Sequence, residues 1–161
     1  MQTSRNAKID LLLAMVDQAF DHRAWHGTRL GGSIRGVTAR QALWRPGRGR
    51  HCIWEPVLHT AYWKYIVRRR LTRDASLQFP RPGSNFPALP SPADQRAWKR
   101  DVALLKQEHS LLREAITRLP AARLSARGWR STWTNAQHIY GIASHDLYHA
   151  GQIQLLKRLQ R

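Results

Sequence analysis

Two histidines near the end of the sequence are spaced as a pair of metal ligands would be. His145 and His149 are four residues apart, so on a helix both imidazoles project from one face, about one turn apart. Two imidazoles in this arrangement can bind one metal ion. The same helix face, with steps of three and four residues, has the spacing of an inward bundle seam and carries His138, Ile142, His145, His149, Ile153 and Leu156. Buried imidazoles need polar partners, so a metal site and a set of hydrogen-bonded core histidines both remain open here.

A third ligand has to come from upstream in the sequence. The segment 145–149 is close to the zincin pattern His-Glu-x-x-His, but residues 150–161 contain no His, Asp, Glu or Cys that could complete such a site. His59 is the best candidate, because it lies early in a second predicted helix and bundles build metal sites between facing helices. Three neutral histidines would leave a coordination position for water or substrate, which is the layout of a catalytic site.

Other side chains near these histidines are candidates for the chemistry. Glu55 lies one helical turn before His59 and could act as a general base or bond to a ligand; a carboxylate that complements the helix dipole is the alternative. Arg48 and Arg50 precede the same helix and are expected to form the rim of an anion-binding opening. Three tryptophans are expected to wall the site, namely Trp25, Trp54 and Trp63.

Four stretches with helical periodicity must position these residues. They cover about residues 5–30, 53–72, 91–119 and 134–161. Ser91, followed by proline, is expected to be the N-cap of the third helix, while Thr38 and Gln41 predict a capping box that opens a short helical turn. No alternating strand pattern occurs, and an irregular connection spans residues 72–91. The sequence therefore predicts an all-α four-helix bundle that forms a single domain over residues 1–161.

Composition narrows the choice of partners. The net charge of +17 favours anionic ligands, so nucleic acid is a possible partner, although the basic residues form no single stripe. The longest apolar run, residues 11–16, is far shorter than the roughly 20 residues that a membrane helix needs. Cys52 is the one cysteine and cannot form an internal disulfide, which is typical of a cytoplasmic protein.

The chain resembles the DinB/YfiT-like family of metal-dependent four-helix proteins. The resemblance is carried by His59 within residues 57–63, by Ala24-Trp-His-Gly27, and above all by residues 144–153, where His-x-x-x-His is followed by Ala-Gly-Gln-Ile. It implies an up-down-down-up bundle in which His59, His145 and His149 hold a divalent ion. Imidazole ligands suit zinc and nickel. Relatives include thiol-dependent transferases and isomerases, so a low-molecular-weight thiol is a possible cofactor.

These observations lead to one expected function and one alternative. The expected function is a metal-dependent enzyme, either a hydrolase or a thiol-dependent transferase or isomerase, that acts on a small and possibly anionic substrate. The alternative is a basic nucleic-acid-binding or stress-response bundle whose metal is only structural. A homodimer through helix faces is expected from the resemblance and from apolar residues on more than one side of the third helix. The open metal position is expected at the bundle end that carries Trp25, His26 and residues 45–50.

Overall fold

Six α-helices form in the computed structural model, which describes residues 6–161. They are α1 (Ala7–Phe20), α2 (Leu30–Ser33), α3 (Ala39–Leu43), α4 (Trp54–Thr72), α5 (Gln95–Arg118) and α6 (Asn135–Leu159). Between residues 6 and 161 the backbone forms no β-strand, apart from an isolated bridge between Arg127 and Thr134. The four long helices confirm the predicted all-α bundle. None of the helices in this range is both long enough and apolar enough to cross a membrane.

Side-chain caps set where several of these helices begin. The capping box of Thr38 and Gln41 opens α3 as predicted, and an equivalent box opens α6. The predicted start of α5 is wrong by one turn, because its N-cap is Asp94 and not Ser91. The Asp94 carboxylate accepts a hydrogen bond of 2.7 Å from the backbone N–H of Ala97, which would otherwise lack a partner in the first turn.

The first helix is shorter than the sequence pattern predicts. α1 ends at Phe20, ten residues before the expected end, and the chain then folds back so that α2 lies against the end of α1. Gly31 makes this close approach possible, because a Cβ at this position would lie 2.9 Å from the backbone oxygen of Phe20. Leu30, which is fully buried, anchors the returning chain.

Contacts between helices give their directions. The informative pairs are Trp54–Asp101 and Arg68–Glu108 between α4 and α5, Asp17–Arg113 and Phe20–His109 between α1 and α5, and His59–His145 and Arg70–His138 between α4 and α6. Residue numbers rise together in the first set, so α4 and α5 run parallel. Residue numbers change in opposite directions in the other two sets, so α1 is antiparallel to α5 and α4 is antiparallel to α6. In chain order the four long helices therefore run up, down, down and up.

The bundle core consists of two apolar clusters with a polar layer between them. Each long helix contributes one buried polar side chain to this layer: Asp17 from α1, Lys64 from α4, His109 from α5 and Asp146 from α6. Lys64 and Asp146 are both fully buried and form a direct ion pair, which ties α4 to α6. This contact lies next to His145, so the polar layer fixes the spacing of the two helices that carry the candidate ligands.

The connection between α4 and α5 has to run back along the bundle, because these helices are parallel. Several contacts hold this connection, residues 73–94, against α4 and α5. Tyr65 donates its hydroxyl hydrogen to the backbone oxygen of Leu77 at 2.8 Å, and Arg81 donates to the Asp101 carboxylate at 3.2 Å. The connection is therefore packed against the same helix that presents His59.

Candidate metal centre

Three imidazoles meet between α4 and α6. The Nε2 atoms of His59 and His145 are 2.9 Å apart, and those of His149 and His145 are 3.2 Å apart. One ligand nitrogen from each of the three residues lies within 4.8 Å of the others. Two nitrogens that each lie about 2.1 Å from a tetrahedral zinc ion are about 3.4 Å apart, so only small movements separate this arrangement from a ligand set. The three residues could hold one metal ion.

In the rings of His59 and His149, a hydrogen bond at Nδ1 leaves the Nε2 lone pair free and directed at the point where the three imidazoles meet. The Nδ1–H of His59 donates to the backbone oxygen of Asn85 at 2.7 Å, and the Nδ1–H of His149 donates to Oε1 of Gln152 at 2.7 Å. Since a ring nitrogen that faces an oxygen acceptor carries the hydrogen, Nε2 is the unprotonated atom in both rings. The buried Nδ1 of His145 has no such partner among residues 6–161, so only its Nε2 side is held.

Burial keeps all three imidazoles neutral, which is the form that binds metal. Burial lowers the pKa of His59, and its bond to Asn85 offsets only part of this. Burial, with the neighbouring imidazoles and Lys64, lowers the pKa of His145 to about 3. Burial and His59 lower the pKa of His149 to about 4, in spite of the bond to Gln152. A cation would therefore face little competition from protons at neutral pH.

Two residues of the α4–α5 connection cover the site, and the sequence patterns did not reveal them. Phe86 stacks on the His59 ring at 4.1 Å between centroids and on His51 at 4.6 Å. Asn85 accepts from His59 through its backbone and, through Oδ1, from the Trp63 indole N–H at 2.9 Å. Asn85 has a φ of +61°, a left-handed conformation that asparagine tolerates better than most residues. The one available signal was the unusual length of the connection.

A cavity of about 890 Å³ opens beside the histidines, along the groove between α4 and α6. His59 and His145 line one part of it, whereas His149 does not. The remaining lining includes two cations, Arg70 and Arg130, and several aromatic side chains, namely Trp63, Trp133 and Tyr140. The groove can therefore hold an anionic or aromatic molecule directly beside two of the three candidate ligands.

The comparison with known families agrees with this arrangement. A family model described as the DinB superfamily matches residues 22–153. The chain belongs to the DinB superfamily. No curated protein and no solved structure is similar enough to the chain to give a match. The DinB superfamily match includes the segments that carry His59, His145 and His149, and it confirms the family resemblance seen in the sequence.

Glu55, the predicted general base of this DinB superfamily protein, contacts residues of the loop that precedes α4. Its carboxylate accepts two hydrogen bonds from Arg45, at 2.7 and 3.0 Å, and one from the backbone N–H of Cys52 at 2.7 Å. Burial would raise the pKa of Glu55, but these hydrogen bonds outweigh it and hold the pKa below its ordinary value. Glu55 does not line the cavity beside the histidines. Its catalytic role stays a prediction.

The predicted basic rim and aromatic wall lie only partly at the site. Arg48 and Arg50 are exposed in the loop before α4 and do not line the cavity, where Arg70 and Arg130 lie instead; their anion-binding role stays a prediction. Trp63 lines the cavity as expected. Trp25 is 100% exposed, because α1 ends before it, and Trp54 is buried with its indole N–H bonded to Asp101. These two tryptophans therefore do not wall the site.

The helix α5 does not expose the apolar residues from which a homodimer was expected. The exposed large apolar side chains of the long helices belong to α1 and α6 and not to α5, which faces solvent mainly with polar and charged residues. They are Leu11, Met15, Tyr140, Tyr148, Leu155 and Leu159. The homodimer itself stays a prediction.

Proposed function

We propose that this DinB superfamily protein is a metal-dependent enzyme in which His59, His145 and His149 hold one divalent ion, zinc or nickel. The observation that carries the proposal is the convergence of three neutral imidazoles beside a large cavity that two of them line. A bound divalent ion of this kind lowers the pKa of a coordinated thiol or water and so supplies a nucleophile at neutral pH. A cytoplasmic setting, consistent with the single buried thiol of Cys52, would keep a cofactor thiol reduced.

The surrounding residues give the site one open side. Asn85 and Gln152 fix the rings of His59 and His149 from behind, and Phe86 covers the face of His59 and excludes water there. His59 and His145 meet the cavity between α4 and α6, so a ligand reaches the site from that groove. A structural metal would have no need of an adjoining cavity of about 890 Å³.

The lining of the groove supports a small anionic substrate or an acidic thiol cofactor. Arg70 is half-buried, and burial lowers its pKa; among residues 6–161 no carboxylate forms an ion pair with it. Arg130, which has a φ of +51°, places its guanidinium 4.7 Å from the Trp129 ring centroid. A carboxylate would bind between these cations, with its apolar part against Trp63 and Trp133. We favour thiol transfer over hydrolysis, because no carboxylate of residues 6–161 lines the cavity to activate water.

Metal content tests the ligand set. Purified protein should retain about one equivalent of zinc or nickel after dialysis, and His145→Gln should lose it. The matched control is His138→Gln, because His138 lines the same cavity but bonds Ser131 at 2.8 Å instead of facing the other histidines. Equal metal content in both variants would contradict the proposal.

Cobalt substitution tests whether the metal position is open. Addition of a small thiol carboxylate should change the visible spectrum of the cobalt-loaded protein, and Arg70→Gln should raise the thiol concentration required about tenfold. A spectrum that no thiol alters would identify a closed structural site and contradict the enzymatic proposal.

A further inference from the structure

A second large cavity lies on the opposite side of the bundle from the three histidines. It has a volume of about 900 Å³ and lies between the end of α1, residues 29–38 and residues 95–113 of α5. Around the bundle the long helices follow the order α1, α5, α4, α6, so the groove between α1 and α5 is opposite the groove between α4 and α6. His59, His145 and His149 do not line this second cavity.

The charges around this cavity are almost all positive. Its cationic side chains are Arg29, Arg35, Lys99, Lys106 and Arg113. Only Arg113 has a carboxylate partner within residues 6–161, because it binds Asp17 through two nitrogens. The one acid that lines the cavity, Asp21, pairs with His22 at 2.8 Å. The cavity therefore presents four cations that have no ion-pair partner within residues 6–161, against the single carboxylate of Asp21.

The wall of the same cavity is apolar and aromatic. It is formed by Phe20, Ile34, Val37, Trp98 and Val102. Apolar surface beside fixed cations is the composition of a site that binds an organic anion, since the charge and the hydrocarbon part of the ligand each find a matching surface.

A buried imidazole without a partner also lines the cavity. His109 is only 4% exposed and stacks on Phe20 at 3.8 Å, yet neither of its ring nitrogens has a hydrogen-bond partner within the described chain. The Asp17 carboxylate lies 3.9 Å from Nε2, which is too far for a hydrogen bond. Nε of Arg29, in the opposite wall, also lacks a partner. Unpaired polar groups are costly to bury, so a ligand in this cavity that accepted hydrogen bonds from His109 and Arg29 would offset that cost.

We propose that this cavity binds a small amphipathic carboxylate, with its charge beside Lys99 and Lys106 and its hydrocarbon part against Phe20 and Trp98. His109 donates its N–H to an oxygen of the ligand. Burial, with Lys64 and Arg113 nearby, lowers the pKa of His109 to about 2, so the ring is neutral and offers one donor. Inorganic phosphate or nucleic acid would use the cations but leave the apolar wall without a partner.

Calorimetric titration with octanoate tests the proposal on the full chain. Octanoate should bind at one site and at least about tenfold more tightly than inorganic phosphate. Lys99→Gln with Lys106→Gln should weaken octanoate binding about tenfold. The matched control is Arg96→Gln with Arg100→Gln, because both arginines are exposed on α5, outside the cavity, and the change in net charge is the same. Equal weakening in both pairs would overturn the proposal, since general charge attraction would explain it.

Further variants separate this site from the metal site and from nucleic acid binding. His109→Leu should raise the melting temperature of the ligand-free protein, because an unpaired buried polar group is removed, and should weaken octanoate binding. The metal-ligand variant His145→Gln should bind octanoate as the parent does. Loss of octanoate binding in Arg70→Gln would place the probe in the other cavity and overturn the proposal. Tight binding of a short duplex DNA that octanoate cannot displace would also overturn it.

Discussion

The buried ion pair between Lys64 and Asp146 should behave as one unit that holds α4 against α6. Both side chains are fully buried, so either of them alone would be an uncompensated charge in the core. We therefore expect Lys64→Met and Asp146→Val each to lower the free energy of unfolding by about 3–5 kcal/mol. For 161 residues the unfolding entropy is about 0.34 kcal/mol/K, so each melting temperature should fall by about 9–15 °C.

The double variant should recover most of this loss. Methionine and valine together have nearly the volume of lysine and aspartate, and the thioether would pack near the Phe20 ring, whose centroid lies 5.0 Å from the Lys64 ammonium. Replacement of a buried pair by apolar residues is often neutral or stabilising by about 1–4 kcal/mol. Urea denaturation of the parent, both single variants and the double variant gives the coupling energy directly.

The parent, the two single variants and the double variant also test whether loss of the ion pair weakens metal binding. Asp146 follows His145 directly and Lys64 is five residues after His59, so loss of the pair should let the two helices move apart and weaken metal binding. The double variant should bind metal as the parent does. Single variants that lose less than about 1 kcal/mol, or a double variant as unstable as the two losses added together, would refute this reasoning.

Three other predictions follow from individual side chains. Glu55→Gln should lower the free energy of unfolding by about 1–2 kcal/mol and leave metal content unchanged, because the hydrogen bonds from Arg45 weaken; lost turnover with full stability would favour the catalytic role. Arg48→Ser with Arg50→Ser should leave anion inhibition of the metal site unchanged, because Arg70 supplies the positive charge at the cavity. Loss of inhibition would instead support the anion-binding role that the sequence predicts for Arg48 and Arg50. The pKa of His109 is lowered from 6.5 to about 2, so below pH 6.5 the unfolded chain takes up a proton that the folded chain does not. Above that pH His109 adds no proton-linked penalty, and below it the free energy of unfolding falls by about 1.4 kcal/mol per pH unit. Urea denaturation between pH 7 and pH 4 should show this slope reduced in His109→Leu, and an unchanged slope would contradict the assignment.

The three candidate ligands were accessible to sequence reasoning because regular helices carry them. A helix converts the spacing of His145 and His149 into a shared face, and the apolar residues around them identify that face as the inward one. His59 follows in the same way from the early part of α4. The capping boxes at Thr38 and Thr134 are also local, since the partners lie three residues apart.

The features that could not be predicted depend on contacts between distant segments. The early end of α1 follows from the way α2 returns against Phe20, which periodicity over residues 5–30 does not encode. Asn85 meets His59 across 26 residues of sequence, through its backbone oxygen, and a backbone atom has no residue-type signature. Arg70 and Arg130 become neighbours of one cavity only once α4 and the segment before α6 are placed together.

The parallel course of α4 and α5 has a consequence for divergence among proteins of this architecture. Two parallel neighbours require a connection as long as the bundle itself, whatever its sequence, and here residues 85 and 86 of that connection cover the candidate metal site. Substitutions in it alter the surroundings of the ligands while leaving the four long helices and the three histidines intact. Under the proposed function, changes at residues 85 and 86 would alter what reaches the metal while the core of the bundle keeps its packing.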